Sequence, residues 1–272
     1  MSIEELLRRE REREGVPPNP LLHRIDDIVA RVRRRRRARA AAAGAVVSAA
    51  VLAVLTVVGG RLPAAETDIS SASPSRTAAP VPLWLVSDST PLDPGRYVIT
   101  VLDATSVPLL PVLSVPAGYV NMDAGFGVRS DDESRHVWAS DVNSVYTHPC
   151  QAGAVPEPVL PSAAHLANAL FAQPLRTGQA PVAVTVGGHQ GFYVELTVPD
   201  DVDVTKCPRG RFELWPGHSQ NQPGQVDMIW VLEVKGQRIT INASHGPDAS
   251  PQQVAELKRM VTTATFAPRE GP

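Results

Sequence analysis

The chain reads as an α+β protein: one domain with a mainly antiparallel sheet covered by two helices, preceded by a single transmembrane helix and a helical cytoplasmic tail. Three observations predict this. Two β-hairpins with alternating apolar residues lie in the second half of the chain, two helices with capping residues flank them, and a long charge-free run follows an arginine cluster near the N-terminus.

In "QVDMIWVLEV" the residues Val226, Met228, Trp230, Leu232 and Val234 share one face of a strand. After a turn at Lys235 and Gly236, Ile239, Ile241 and Ala243 form the matching face of "QRITINA". A second hairpin joins "PVAVTV" to "GFYVELTV" through Gly187 and Gly188, with Phe192, Val194, Leu196 and Val198 alternating inward. "RYVITVLD" (96–103) and "RFELW" (211–215) are further strands. Pro108 and Pro111 demote "VPLLPVLSV" to an edge or an extended segment, because proline cannot donate to a ladder. "SDVNSVYTHPC" suits a helical turn or a strand equally. Ser162 caps a helix whose Ala163, Leu166, Ala167 and Leu170 make one stripe. Ser250, Pro251 and Gln253 open a second helix, which carries Val254, Leu257 and Val261.

The N-terminal part is organised differently. Residues 40–60 are all Ala, Val, Leu, Gly, Ser or Thr, and at about 1.5 Å per residue a helix of that length spans roughly the 30 Å of a bilayer core. Seven arginines, Arg31, Arg33 to Arg37 and Arg39, lie just before it and only Arg61 directly after. Basic residues beside a span stay cytoplasmic, so residues 1–39 are expected inside and the C-terminal bulk outside the cell membrane. The rival is a cleaved secretory signal, for which "LPAAE" (62–66) is the candidate site, but its apolar core is usually shorter, about 7 to 15 residues. A basic run abutting a span contacts anionic lipid, which makes the bilayer the expected partner and argues against nucleic acid.

Charge follows the same division. Residues 1–39 hold 12 of the 26 basic and 7 of the 28 acidic side chains, so the tail is basic and the remainder acidic. The tail opens with Ser2 and Glu5 in capping-box spacing and breaks at "VPPNP" (16–20). It then shows an apolar stripe of Leu21, Ile25, Ile28, Val29 and Val32. That stripe fits a helix lying on the membrane or a docking face for a protein. Residues 61–82, rich in Ala, Ser, Pro and Thr, read as a flexible stalk, and residues 83–272 as the exported domain.

The two cysteines, Cys150 and Cys207, both fall on the exported side, where thiols oxidise, so a disulfide is expected. A metal site using His148 is the alternative, and two ligands on a loop make a weak case. No H-E-x-x-H, G-x-S-x-G, S-x-x-K, Walker or G-x-G-x-x-G pattern occurs in the exported half, so neither catalytic residues, nor a metal, nor a cofactor is expected there. In "DAGFGVRSDDES" Asp123, Asp131, Asp132 and Glu133 lack EF-hand spacing and read as a solvated acidic turn. The bridge would draw Trp138, Tyr146, His148 and Trp215 towards one another; these are the candidate pocket residues, against the ordinary role of tryptophan as core filler.

"DDIVARV", the arginine run and the Ala/Val span resemble the N-terminal anchor of actinobacterial membrane proteins related to anti-sigma factors. "LDPGRYVITV", "VNSVYTHPC", "GFYVELTVPDDVDVTKC" and "PGQVDMIWVLEV" are similar to an exported domain with a Cys pair. The resemblance implies a cytosolic regulatory partner, such as a sigma factor, for the tail. A zinc-type anti-sigma domain would show His with paired Cys, whereas this tail has His23 and no Cys, which disfavours that subtype. The expected function is an extracytoplasmic binding or sensory domain for an envelope ligand, with regulation through the tail. The alternative is an anchored envelope protein with a passive structural or binding role, and an envelope enzyme is the least expected reading.

Overall fold

The computed structural model describes residues 79–104 and 107–269. The span, the tail and its predicted partner face Leu21, Ile25, Ile28, Val29 and Val32 lie outside the described residues. Among the described residues no helix is long and apolar enough to cross a membrane.

The elements run β1 (Val81–Pro82), β2 (Gly95–Val98), β3 (Val101–Leu102), β4 (Leu109–Val115), β5 (Tyr119–Met122), β6 (Gly127–Ser130), β7 (Arg135–Ser140), β8 (Ser144–Val145) and β9 (Glu157–Pro158). Then come α1 (Ala163–Phe171), β10 (Thr177–Val186), β11 (His189–Thr197), β12 (Phe212–Trp215), β13 (His218–Gln220), β14 (Val226–Val234), β15 (Gln237–His245), α2 (Pro251–Thr262) and β16 (Thr265–Pro268). The large sheet has the order β10-β11-β14-β15-β7-β6-β5, with β3 beside β7; a smaller one has the order β1-β2-β4-β16. Among the described residues only β1 with β2 and β3 with β7 pair in parallel, so their architecture is α+β and mostly antiparallel sheet.

Both predicted hairpins form, for the turn chemistry expected of them. Gly187 (φ 56°) and Gly188 (φ 82°), like Lys235 (φ 53°) and Gly236 (φ 79°), take left-handed backbone at both central positions, which matches the twist of the paired strands. Both helices start at the predicted caps. Ser162 Oγ accepts from the His165 amide, and Ser250 and Gln253 close a reciprocal capping box. On α1 the buried residues are Ala163, Leu166, Ala167 and Leu170, the predicted stripe.

Two strand expectations need correction. "RYVITVLD" is two strands: β2 lies in the small sheet and β3 in the large one, so the chain crosses between the sheets at Ile99 and Thr100. "VPLLPVLSV" contains β4, an interior strand between β2 and β16. Pro111 is tolerated because its backbone faces the side where β2 has already ended at Val98; there its carbonyl accepts from the Ile99 amide, and no donor is missed. The ambiguous "SDVNSVYTHPC" holds the short strand β8, paired with β9.

The large sheet is covered on both faces. On one, Met228, Trp230, Leu232, Ile239, Ile241 and Ala243 pack with the small sheet and with Leu257, Met260 and Val261 of α2. On the other, Val194, Leu196, Ile229 and Val231 lie under α1 together with Leu214 and Trp215. The second face is the one on which polar side chains collect.

Candidate functional site

Strand alternation builds the site from cross-strand rows. Asp227, Ser244 and His136 are register partners across β14, β15 and β7; Ile229, Asn242 and Trp138 form the next row, and Val231, Thr240 and Ser140 the third. All nine therefore point to the face shared with α1. Ile229 and Val231 are sealed by α1, whereas Trp138 and the polar members extend beyond it towards β7 and β6. Gly127 on β6 faces Trp138, and a Cβ there would lie 2.6 Å from Trp138 Cβ and 2.2 Å from the Val137 carbonyl, so a side chain at this position would force β6 and β7 apart.

The β12–β13 hairpin lies over the middle of these rows and brings His218 onto them. His218 Nε2 lies 3.1 Å from Asp227 Oδ2, and Asn242 Nδ2 lies 3.3 Å from Asp227 Oδ1. The same Nε2 lies 3.3 Å from Asn242 Nδ2, so the Asp227 carboxylate, which only accepts, is shared between the Asn242 amide and the His218 ring. The imidazole is held between two indoles, 4.7 Å from the Trp138 ring and 4.5 Å from the Trp215 ring. His136 meets Trp138 edge-on at 6.4 Å.

A half-buried arginine supports the hairpin from the far side. The Arg176 guanidinium stacks over Phe212 at 4.4 Å and donates through Nη1 to Gln220, while its Nε and Nη2 are buried with no hydrogen-bond partner. Burial pulls the Arg176 pKa down to about 9, opposed by the attraction of Asp227. Asp227 itself is 0% exposed, so one buried carboxylate serves His218, Asn242 and the Arg176 charge together.

Cys150 and Cys207 are paired as a disulfide, with Cα atoms 4.6 Å apart across a separation of 57 residues. Cys207 packs with Val198, Val204 and Phe212 in a small core of its own. The bridge ties the segment after β8 to the start of β12, where the Glu213 amide donates to the Pro149 carbonyl and the Tyr146 amide to the Leu214 carbonyl. It thereby anchors the hairpin that carries Trp215 and His218.

Beyond the hairpin the rows open into a cleft of about 880 Å³, within the size range of small-molecule sites. Trp138, His136, His218 and Ser244 stand along it, with Gln222 and Gln225 from the segment joining β13 to β14. Ser244 is 4% exposed, and its hydroxyl has no hydrogen-bond partner among the described residues. Burial, reinforced by the nearby Arg129 charge, lowers the His136 pKa. At the rim, hydrogen bonds from Ser130 and Ser134 hold Asp132 down to about 2.

No family model and no curated protein matches the chain. Among solved structures the chain is similar to LpqN, described as involved in cell envelope biogenesis of Mycobacterium tuberculosis. The identity is 12%, the TM-score is 0.34, and the match covers 64% of this chain and 92% of LpqN. What the site does rests on its own geometry.

Of the residues picked from sequence, the structure brings together Trp138 and Trp215, on either side of His218; of the two only Trp138 lines the cleft, and Trp215 is buried in the core under α1. Tyr146 and His148 lie elsewhere: Tyr146 is half-buried with its carbonyl bonded to Gln173, His148 is exposed, and neither lines the cleft. Proximity to a cysteine in sequence was the wrong guide for these two, because the peptide after β8 runs beside β12 and away from the open end of the rows. His136, His218, Asp227, Asn242 and Ser244 escaped the sequence reading. The signal for three of them was present as polar residues alternating with the apolar ones in "QVDMIWVLEV" and "TINASH". Among the described residues no group of three or more His, Cys, Asp or Glu side chains is arranged to hold a metal ion.

Proposed function

We propose that the protein is a single-pass membrane protein of the cell envelope whose extracytoplasmic domain binds a small molecule in the cleft beside Trp138. On this reading the cytoplasmic tail, through Leu21 to Val32, meets a cytosolic regulatory partner such as a sigma factor. The observation that carries the binding role is the cleft itself, floored by Trp138 and by the unpartnered, nearly buried hydroxyl of Ser244. A half-buried indole beside an unused hydroxyl leaves apolar area and hydrogen-bonding capacity for a ligand to take up. Binding is favoured over turnover because the bonded nitrogen of His218 is directed at Asp227 and Asn242 and at no hydroxyl or thiol, an arrangement that holds the floor in place.

The test is a thermal-shift screen of chemically diverse small molecules on the full chain in nonionic detergent micelles. A ligand at a hundredfold excess over its Kd adds about 2.7 kcal/mol to the stability of a folded state. At least one compound should raise the midpoint of the wild type and not that of Ser219→Trp, in which an indole on β13 fills the cleft. A screen in which every stabilising compound acts equally on both proteins would defeat the reading. Orientation is tested separately. A reporter active only outside the cytoplasm should work when fused after Pro272 and stay silent before Ser2.

A further inference from the structure

The charge of the cleft is one-sided. Asp123, Asp132, Glu133 and Asp248 stand on its wall, and among the described residues no lysine or arginine lines it. Two of these carboxylates are engaged, Glu133 with Arg129 and Asp132 with Arg135 at 3.9 Å. Asp123 and Asp248 have no ion-pair partner among the described residues. A cleft with walls of one sign concentrates the opposite charge inside it.

Acidic rims are common on exported domains and by themselves identify no ligand, but two features of the interior point the same way. Trp138 presents an indole, the side chain that attracts an organic cation most strongly. Ser244, 4% exposed and lining the cleft, keeps an unpartnered hydroxyl oxygen able to accept from an ammonium N–H. His136, neutral because of its burial, adds no opposing charge to the inner wall near neutral pH.

We propose that the ligand of this cleft is a small organic cation, an alkylammonium whose charge lies against Trp138 between Asp123 and Asp248, and whose N–H reaches Ser244. The proposal rests on the binding role argued above and narrows it to one chemical class.

The experiment is isothermal titration of the full chain in nonionic detergent with four probes: ethanolamine and spermidine as cations, sucrose as a neutral polyol and citrate as an anion. At least one cation should bind, and its affinity should fall as salt rises. It should also fall at least tenfold in Asp123→Asn/Asp248→Asn and in Trp138→Phe. Glu157→Gln/Asp203→Asn removes the same number of charges from residues that do not line the cleft, and should leave the affinity within twofold. Binding that both double variants weaken equally would mean attraction to the acidic domain as a whole, and would overturn the proposal. Sucrose or citrate binding in place of the cations, and lost in Ser219→Trp, would also overturn it while the binding role stood. If none of the four probes bound while the wider screen found a cleft ligand that is not cationic, the proposal would fail in the same way.

Discussion

The two faces of the large sheet are built from the same strands and are both buried, yet they are held in different ways. The face towards α2 is a row of apolar side chains, Met228, Trp230, Leu232, Ile239, Ile241 and Ala243, each almost wholly excluded from solvent. Such a face gains stability from area and packing, and many apolar combinations would serve it. The opposite face carries Asp227, Thr240, Asn242 and Ser244, also buried, alongside Ile229 and Val231. Burying those polar groups costs free energy, and particular partners answer part of it: His218 and Asn242 for Asp227, Arg176 before β10, and the disulfide that holds the hairpin down, while Thr240 Oγ1 and Asn242 Oδ1 are buried with no hydrogen-bond partner among the described residues. A domain spends such specific interactions where position matters, and here they position the floor of the cleft.

The sharpest way to break the comparison is to damage each face in turn. Trp230→Ala removes a 3% exposed indole that packs against Tyr193 at 4.8 Å, and should cost about 3–5 kcal/mol in urea unfolding. Its effect on the cleft should be small relative to that loss, because the change lies on the other side of the sheet.

The next largest effect belongs to the bridge. Cys150→Ser or Cys207→Ser should each lower stability by roughly 2–4 kcal/mol, and the double variant should be no worse than the worse single, since one bond is lost in every case. Unlike Trp230→Ala, these changes should also release β12–β13, seen as faster amide exchange at Glu213 to Gln220 than in the β14–β15 hairpin. Uniform acceleration across both hairpins would show that the bridge stabilises the whole domain and does not position the hairpin.

Smaller still is Asp227→Asn, expected to cost about 1–3 kcal/mol because the amide keeps an acceptor for Asn242 but presents no charge to Arg176. If it proves as costly as Trp230→Ala, the polar face carries more of the fold than its few bonds suggest.

The smallest expected effect is a pH dependence confined to the polar face. Burial lowers the folded-state pKa of His136 below its ordinary 6.5, so the unfolded chain binds its proton first. The stability linked to His136 is complete above about pH 6.5 and declines as the pH falls from there towards the lowered value. His136→Gln should flatten that part of the stability profile and leave the steeper loss near pH 4 to 2, where carboxylates such as Asp132 take up protons. An unchanged slope below pH 6.5 in His136→Gln would assign the dependence to another group.

Much of the scaffold was legible along the chain because local rules and tertiary structure agree there. The Gly187–Gly188 and Lys235–Gly236 turns, the Ser162 and Ser250 caps and the apolar stripes behind them are determined by backbone preference and by periods of 2 and 3.6, properties of residues a few positions apart. The site was legible only in fragments. Trp138 and Trp215 could be picked as aromatic, but the histidine between them lies at position 218, in a three-residue strand with no apolar pattern.

What the sequence by itself determined is the α+β class, the two hairpins, the two helices and the pairing distance of the only two cysteines, all consequences of side-chain period, capping and composition. Only the tertiary structure decided that "RYVITVLD" divides between two sheets, that β4 is interior despite Pro111, and that the polar side of β14 and β15 is buried. The physical reason is common to the three. An alternating strand specifies that its two sides differ, but whether the polar side meets water depends on what the remainder of the chain lays over it. Here α1 and the bridged hairpin cover Asp227 and Asn242 and leave Trp138 and Ser244 on the wall of a cleft.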